Sequence, residues 1–232
     1  MERNYDVLLL DADGTLLDFD RSERAAMEEL FARHGYPYDG SVLERYRAIN
    51  SRLWSEYEKD LIPKPQIHKT RFQELFALLG IEGDGPSFNE EYLDALSSHC
   101  FAMDGALEVC RALARIYRLY VVTNGVTRVQ RRRLRESGLE TCMSGVFVSE
   151  QMGVQKPKRA FFEQAAGQIE GFSASRTLII GDSPTSDMAG GRGFGLDTCW
   201  FNPNGRPPLT PPPTFEIHSL RELLPLLAGE PA

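Results

Sequence analysis

The stretch Tyr5–Asp18, YDVLLLDADGTLLD, decides the fold predicted for this chain. Val7 to Leu10 form a short, fully apolar run, which is typical of a strand buried on both faces of a parallel sheet, although a buried helix has the same periodicity. Asp11 and Asp13 follow the run, at the strand end where open α/β sheets bind ligands. Two acids beside an apolar core repel each other and lose hydration, so they indicate a bound cation. The alternative is an Asx turn that caps a helix.

The composition is that of an ordinary soluble globular protein. The 232 residues suit one compact domain or a core with an insertion, and 42% are hydrophobic. The net charge of −7 argues against binding to a nucleic-acid polymer, since that affinity comes mostly from clustered Lys and Arg. The amino-terminal apolar run is too short for a signal or membrane span, so we expect a cytoplasmic protein without a membrane partner. The four scattered cysteines are expected to be reduced core thiols.

Amphipathic helical patterns fill the region after the first strand, with no strand-like run between them. The first has Ser22 as its predicted N-cap and Gly35 as its stop. The four patterns cover residues 22–35, 42–57, 72–80 and 92–101.

Short apolar runs alternate with helical patterns in the second half of the chain. Examples are LYVVTNG at 119–125 and TLIIGD at 177–182. This alternation is typical of a doubly wound parallel sheet. The predicted architecture is therefore an α/β core, residues 1–16 and 104–232, with a four-helix insertion at 17–103.

Polar residues end the predicted strands and should meet at one edge of the sheet, because parallel strands share the direction of their carboxyl ends. Carboxylates in this number suit Mg²⁺, which takes oxygen ligands and commonly reaches out to a phosphate. Lysine, threonine and loop amides supply the complementary anion site, so the combination indicates phosphoryl transfer. Besides the two acids of the first strand, the set contains Thr123, Asn124, Lys156, Asp182 and Asp187.

The motifs DADGTLL, VVTNG, QKPKRAFF and GDSPTSD resemble, in order and spacing, the four motifs of the haloacid dehalogenase-like (HAD) hydrolase superfamily. The resemblance covers nearly the whole chain and implies a HAD-like Rossmannoid core. The helical insertion resembles the C1-type cap of this superfamily. Within the superfamily, the AIN...LW...Y helix and the TCWFN strand are similar to bacterial 5'-nucleotidases that act on pyrimidine nucleotides.

The resemblance implies a covalent mechanism with Mg²⁺ as the cofactor. Asp11 is the implied nucleophile, which forms an aspartyl-phosphate and so divides one difficult displacement into two. Asp13 is the implied general acid for the leaving oxygen and then the base for the attacking water. The implied metal ligands are Asp11, the backbone carbonyl of Asp13, and Asp182. Asp187 is expected to orient metal-bound waters or to join the metal shell indirectly.

Phosphate binding is assigned by the same resemblance. Thr123 and the Asn124 amide are expected to bind the transferring phosphoryl group, while Lys156 neutralises it and keeps Asp11 ionised. Taken singly, Thr123 is more typical of a strand-end cap and Lys156 of a surface lysine. Their joint placement at one sheet edge favours the site.

The cap is expected to exclude water and to read the leaving group of the substrate. Trp54 is a candidate for stacking on a base, and Asn50 and Arg71 for reading the base edge or the phosphate. The alternative is that Trp54 belongs to the core, because it shares a helical stripe with Ile49 and Leu53.

The basic run RVQRRRLR, Arg128 to Arg135, is interpreted as the solvated face of a helix. An anion-binding patch is the alternative interpretation. The run has few apolar residues, which favours the solvated face.

The favoured function is Mg²⁺-dependent hydrolysis of small phosphomonoesters, with a pyrimidine nucleoside 5'-monophosphate as substrate. Alternatives on the same fold are a sugar-phosphate phosphatase and a phosphomutase. A dehalogenase is disfavoured, because that chemistry does not need the acid present at Asp13. An alternative of another class is a non-catalytic regulatory module that binds a phospho-ligand. The expected partner is a small-molecule substrate, and the expected state is a monomer or homodimer.

Overall fold

The computed structural model describes residues 5–228 of the chain, which forms two compact units. One comprises Met1–Phe19 and Cys100–Ala232, and we call it the sheet unit. The other, Asp20–His99, is the helical unit. The predicted cap, residues 17–103, is slightly wider at both ends than this helical unit.

The helical unit contains four long helices, as the periodicity predicts. Their aromatic side chains form its core: the ring centroid of Phe88 lies 4.9 Å from that of Phe72 and 5.0 Å from that of Phe76. Edge-on packing at such distances adds to the free energy of burial. The helices are α1 (Phe19–Arg33), α2 (Gly40–Glu58), α3 (Lys64–Leu79) and α4 (Gly85–Ser98).

The sheet unit is built on a six-stranded sheet in which every neighbouring pair is parallel. The spatial order is β3-β2-β1-β4-β5-β6, so the first strand lies in the middle. The alternative helical interpretation of the first apolar run is therefore wrong. The strands are β1 (Val7–Leu10), β2 (Arg118–Thr123), β3 (Gly145–Val148), β4 (Thr177–Gly181), β5 (Asp197–Phe201) and β6 (Phe215–Ile217).

Apolar side chains of β1 are buried on both faces of the sheet. Leu8 and Leu10 pack into one hydrophobic cluster, and Val7 and Leu9 into the cluster on the opposite face. Alternate side chains of a strand point to opposite faces, so an unbroken apolar run needs both faces covered. Each side chain contributes roughly 1.5–3 kcal/mol relative to an exposed one.

The remaining helices belong to the sheet unit. Within residues 5–228, no helix is both long and apolar enough to cross a membrane. Three of the four free cysteines are buried as expected, whereas Cys100 is only half-buried. The helices are α5 (Ala106–Leu113), α6 (Thr127–Glu136), α7 (Ser149–Met152), α8 (Arg159–Gly167), α9 (Ala189–Phe194) and α10 (Leu223–Ala228).

Two antiparallel segments of the sheet unit lie where the chain leaves and re-enters it. The backbone N–H of Asp18 donates to the Phe101 carbonyl at 2.9 Å, and that of Met103 donates to the Leu16 carbonyl at 2.9 Å. These bonds fix the end of the loop that carries the first-motif aspartates.

Candidate active site

Lys156 joins two carboxylates in the interior of the sheet unit. Its fully buried Nζ donates to Asp11 Oδ1 at 2.6 Å, to Asp187 Oδ1 at 2.7 Å and to the Val122 carbonyl at 2.8 Å. Burial alone lowers the pKa of Lys156, but the charges of Asp11 and Asp187 outweigh it and raise that pKa above its ordinary value. Lys156 is therefore a charged, fully hydrogen-bonded ammonium rather than a surface lysine.

Asn124 positions the backbone of Lys156. Its side-chain amide donates to the Lys156 carbonyl at 2.9 Å and accepts from the Lys156 N–H at 2.9 Å. This pair of bonds ties the end of β2 to the loop that carries the lysine. Because the side-chain amide of Asn124 is used in these two bonds, its backbone N–H is the group that we expect to contact the phosphate.

Three carboxylates, Asp11, Asp182 and Asp187, lie together, and one oxygen from each lies within 4.8 Å of the others. Burial raises the pKa of Asp11 well above its ordinary value, and the charges of Asp187 and Asp182 add to this effect although Lys156 opposes it. Burial likewise raises the pKa of Asp182 to about 7, with a further contribution from Asp187. A hard divalent cation that takes oxygen ligands relieves this crowding of negative charge, so the donor set fits Mg²⁺.

Asp187 and Asp182 are held by the loop that follows β4. The fully buried Asp187 accepts from the Ser183 N–H at 3.2 Å. The backbone carbonyl of Asp182 accepts from Trp200 Nε1 at 3.0 Å and from Arg206 Nη2 at 2.5 Å. Trp200 lies in the TCWFN strand, so this strand orients an acid of the cluster.

Gly14 gives the loop after β1 its close approach to Asp182. Its φ of +83° lies in the left-handed region that favours glycine. A Cβ added at Gly14 would also lie 2.9 Å from the carboxylate carbon of Asp182. Both facts require glycine between Asp13 and Thr15.

Asp13 does not join the carboxylate cluster through its side chain. That side chain is 29% exposed, and it accepts hydrogen bonds from Arg133 Nη1 and Gln130 Nε2. The contribution to a metal that is expected of Asp13 is its backbone carbonyl, which is independent of these two contacts.

The interpretation of the basic run as a solvated face is wrong for two of its residues. Arg133 is fully buried and Gln130 is 1% exposed, whereas Arg128, Arg132 and Arg135 are exposed as expected. Gln130 and Arg133 are three residues apart, and such positions share one side of a helix. A buried guanidinium needs a carboxylate partner, and Asp13 supplies it.

Thr123 is buried at the end of β2, beside the same glutamine. Its Oγ1 accepts from the Gly125 N–H at 3.1 Å and from Gln130 Nε2 at 3.2 Å. The hydroxyl proton of Thr123 is then the group that can be donated to an anion.

Arg71 and Asn50, two of the cap residues named above, contact each other inside the helical unit. Arg71 is 3% exposed, and its Nη1 donates to Asn50 Oδ1 at 3.4 Å. Its Nε donates to Asn89 Oδ1 at 2.6 Å, a partner that sequence reasoning missed. Nη2 of Arg71 has no hydrogen-bond partner among the described residues. The guanidinium carbon lies 4.7 Å from the ring centroid of Tyr92.

Trp54 is half-buried, so it is neither a full core residue nor a free surface one. Its ring packs edge-on against Tyr57 with centroids 5.7 Å apart. The ammonium of Lys64 lies 5.8 Å from the Trp54 ring centroid.

Proteins of similar sequence are known over nearly the full length of this chain. It is 39% identical over 226 residues to the HAD-hydrolase YfnB of Bacillus subtilis, covering 97% of this chain and 96% of that protein. It is 40% identical over 222 residues to the pyrimidine 5'-nucleotidase PynA of Streptococcus pneumoniae, covering 95% and 94%. Identity to the pyrimidine 5'-nucleotidase YjjG of Escherichia coli is 31% over 224 residues, covering 96% and 98%.

Solved structures and a family model agree with these relatives. A crystal structure of YfnB bound to magnesium matches with a TM-score of 0.92 at 40% identity, over 97% of this chain and 99% of that one. The L-2-haloacid dehalogenase of Xanthobacter autotrophicus shares the fold, with a TM-score of 0.76 at 16% identity. The model of the haloacid dehalogenase-like hydrolases matches residues 5–195. This model matches most of the chain, and the sequence similarity to YfnB and PynA extends over nearly its full length. The chain therefore belongs to the haloacid dehalogenase-like hydrolase family.

Proposed function

We propose that this hydrolase is a Mg²⁺-dependent phosphatase that hydrolyses small phosphomonoesters through an aspartyl-phosphate. The observation that carries the proposal is the contact of buried Lys156 with Asp11 beside Asp182 and Asp187. It combines a carboxylate nucleophile, a cation for phosphate charge and a set of metal ligands. The favoured substrates are pyrimidine nucleoside 5'-monophosphates, because PynA and YjjG are named as pyrimidine 5'-nucleotidases.

The first chemical step is attack by Asp11. Lys156 holds Oδ1 of this carboxylate, so we assign Oδ2 as the attacking oxygen. A bond forms between Oδ2 and phosphorus while the bond from phosphorus to the leaving oxygen breaks. Asp13 gives its proton to that oxygen, and the released alcohol carries it away.

The second step restores Asp11. Asp13 takes a proton from a water molecule, whose oxygen attacks phosphorus. The bond between phosphorus and Asp11 breaks, and inorganic phosphate is released. Thr123 and the Asn124 backbone amide are the proposed donors to the phosphoryl oxygens in both steps, and the positive charge of Lys156 neutralises those oxygens.

Mg²⁺ is the proposed cofactor of this site. Asp11, Asp182 and the Asp13 carbonyl are its proposed ligands, with Asp187 beside them. Bound Mg²⁺ would supply positive charge to the carboxylates and to the phosphoryl oxygens. Support comes from the raised pKa values of Asp11 and Asp182, which a cation would lower.

We propose that the helical unit recognises the leaving group of the substrate through Asn50, Trp54 and Arg71. The buried Nη2 of Arg71, unpaired among the described residues, supports this role because an unpaired buried donor is costly unless a ligand satisfies it. A pyrimidine carbonyl is an acceptor of the required kind. Trp54 remains a proposed stacking residue, supported by its partial exposure.

The surroundings of the enzyme are also a proposal. We infer that it works in the cytoplasm as a monomer or homodimer, on a small diffusing substrate. Four free thiols suit a reducing compartment, and the net charge of −7 argues against a nucleic-acid polymer. Sedimentation of the purified protein measures its oligomeric state.

A screen of nucleotides, sugar phosphates and p-nitrophenyl phosphate tests the function. Phosphate release with Mg²⁺ should be fastest from pyrimidine nucleoside monophosphates, and chelation by EDTA should abolish it. Release from sugar phosphates alone would contradict the substrate assignment. Transfer of labelled phosphate to a second sugar hydroxyl would identify a phosphomutase, and saturable binding without turnover would identify a regulatory module.

A further inference from the structure

Gln130 and Arg133 of α6 contact Asp13, and none of the roles proposed above uses them. Arg133 Nη1 donates to Asp13 Oδ1, while Gln130 Nε2 donates to Asp13 Oδ2. Each carboxylate oxygen therefore has its own donor. Two donors on two different oxygens fix both the position and the rotation of a carboxylate, whereas a single donor leaves it free to turn.

Arg133 and Gln130 differ from the members of an ordinary surface ion pair because both are buried. Exposed ion pairs contribute little, because water screens them and long side chains lose entropy. Here the Arg133 side chain is fully buried and the Gln130 side chain almost so. The guanidinium carbon of Arg133 also lies 5.9 Å from the ring centroid of Phe19. Packing therefore holds Arg133 in place before any substrate binds.

Gln130 also links Asp13 to Thr123. Its Nε2 lies 3.2 Å from Thr123 Oγ1 while it donates to Asp13. A Cβ added at Gly125 would lie 2.2 Å from that same nitrogen. Only glycine at 125 leaves space for the Gln130 amide. The glycine of the VVTNG motif therefore permits the contacts of Gln130 with Asp13 and Thr123.

We propose that Arg133 and Gln130 are positioning residues that hold the Asp13 carboxylate at a fixed separation from Thr123. In the proposed phosphatase, on which this inference rests, Asp13 transfers the proton and Thr123 binds the phosphoryl group. The two side chains of α6 thus set the geometry between the proton donor and the reacting phosphorus. Misplacement of a catalytic group by about 1 Å can cost on the order of 100-fold in rate.

This role predicts a dependence on the leaving group. An alkoxide leaving group, such as the 5'-oxygen of a nucleoside, needs the proton from Asp13, whereas p-nitrophenolate leaves as a stable anion. Hydrolysis of the aspartyl-phosphate is common to both esters, so the difference appears in kcat/KM, which reports the step in which the leaving group departs. Loss of positioning should therefore lower kcat/KM much more for the alkyl ester than for the nitrophenyl ester. A purely structural role would lower kcat/KM equally for both substrates.

The main test compares Arg133→Met with wild type on the best alkyl phosphate of the screen and on p-nitrophenyl phosphate. We expect kcat/KM for the alkyl phosphate to fall about 10- to 100-fold, and kcat/KM for p-nitrophenyl phosphate to fall less than about threefold. Arg133→Lys should recover part of the lost kcat/KM, because lysine restores the charge but not the planar fork of donors. Equal losses of kcat/KM on both substrates would overturn the proposal.

Two further variants keep the test independent of folding defects at position 133. Gln130→Leu should show the same selective loss. Arg135→Met is the matched control, because Arg135 is exposed on the same helix, and it should behave as wild type. In an Asp13→Asn background, Arg133→Met should cause no additional loss for the alkyl ester; an additive loss would contradict a role through Asp13.

A crystal structure of each variant separates this inference from the proposed function. The Asp13 carboxylate should turn or shift in Arg133→Met and Gln130→Leu. An unmoved Asp13 in both would overturn the positioning role, whatever the substrate. If wild type hydrolyses sugar phosphates but not nucleotides, the nucleotide assignment fails while the kinetic test proceeds with a sugar phosphate as the alkyl ester.

Discussion

Gly181 ends β4 at a point where any side chain would strike the carboxylate of Asp187. A Cβ there would lie 2.3 Å from Asp187 Oδ2. Gly181→Ala should displace this buried carboxylate from Lys156 and lower the free energy of unfolding by about 1–3 kcal/mol. The same displacement should weaken Mg²⁺ binding. Urea unfolding and a calorimetric Mg²⁺ titration measure the two effects.

Gly193 offers the matched control for that substitution. It lies in α9 and has no atom within 4 Å of an added Cβ. Gly193→Ala should raise the free energy of unfolding by roughly 0.5–1 kcal/mol through helix propensity, and leave Mg²⁺ binding unchanged. If Gly181→Ala behaved like Gly193→Ala, Asp187 would not be held as tightly as its contacts indicate.

Arg71 is a buried cation whose direct partners, Asn89 and Asn50, are neutral amides. If it reads the base, Arg71→Met should raise KM for pyrimidine nucleotides about 10- to 100-fold, the equivalent of one charge-assisted hydrogen bond. KM for p-nitrophenyl phosphate, which lacks the base, should stay near the wild-type value. Steady-state kinetics on both substrates measure this difference.

The control for Arg71 is Arg52→Met on α2. Arg52 is 45% exposed and paired with Glu56 and Glu74. Its loss should leave both KM values unchanged. An Arg71→Met protein that is strongly destabilised but keeps its KM for nucleotides would identify Arg71 as structural.

Residues at strand ends are the part of the site that sequence could predict. Asp11, Thr123 and Asp182 lie at the ends of apolar runs, and parallel pairing brings such positions together. Arg133 could not be predicted in the same way, because arginine is normally exposed. The only sequence signal was helical spacing. Arg133 and Leu134 follow Val129 by four and five residues, which places all three on one side of the helix. Asn89 gave no signal, since only the packing of α3 against α4 brings it to Arg71.

At the scale of elements, helix periodicity and the glycine stops were reliable, whereas the predicted helix starts were not. The prediction of Ser22 as an N-cap is wrong, because α1 begins at Phe19 and Ser22 is buried within it. The N–H of Asp18 bonds to the distant Phe101 carbonyl, so a tertiary contact decides where this helix starts. Asp39 does cap α2, accepting from the N–H groups of Ser41 and Val42.

Burial of Glu23, which pairs α1 with Arg47 of α2, makes the stability of the helical unit depend on pH. Burial raises the pKa of Glu23 from 4.5 to about 7, although the hydrogen bond from Arg47 at 2.7 Å opposes the shift. Between pH 4.5 and about 7 the folded state therefore binds more protons than the unfolded state. The contribution of Glu23 to stability is full below this window and decreases as pH rises through it, by roughly 2–4 kcal/mol.

Glu23→Gln should remove this dependence. The free energy of unfolding of the variant, minus that of wild type, should increase with pH between about 5 and 7.5. Glu28→Gln, at an exposed position of the same helix, should give a difference that is flat with pH. Urea unfolding at several pH values measures both. A flat difference for Glu23→Gln would show that Glu23 is ionised throughout the range.

At the scale of the whole molecule, strand order assembles the site. The order β3-β2-β1-β4-β5-β6 places β1 between β2 and β4. Asp11 therefore lies between Thr123 on one side and Asp182 on the other. Apolar periodicity predicts that the strands are buried and parallel, but it does not say which strands are neighbours. Neighbours are chosen by long-range packing, so only the resemblance to a family could anticipate this arrangement.

All three carboxylates of the proposed Mg²⁺ site belong to the sheet unit, so Mg²⁺ should stabilise that unit selectively. A ligand that binds only the folded state adds about 2.7 kcal/mol of stability at 100 times its dissociation constant. Hydrogen exchange should slow in β1, β4 and the loops that follow them when Mg²⁺ is added. The aromatic core formed by α3 and α4 should exchange as before.

Asp182→Asn should remove most of this stabilisation by Mg²⁺, because it replaces one of the two proposed carboxylate ligands by a neutral amide. Asp104→Asn, at an acid of the same unit that is 88% exposed and paired with Arg221, should keep all of it. Calorimetric unfolding with Mg²⁺, and with NaCl at equal ionic strength, separates ion binding from charge screening. If Asp182→Asn gained as much stability from Mg²⁺ as wild type, the cation would bind elsewhere, and Asp182 would have no place among its ligands.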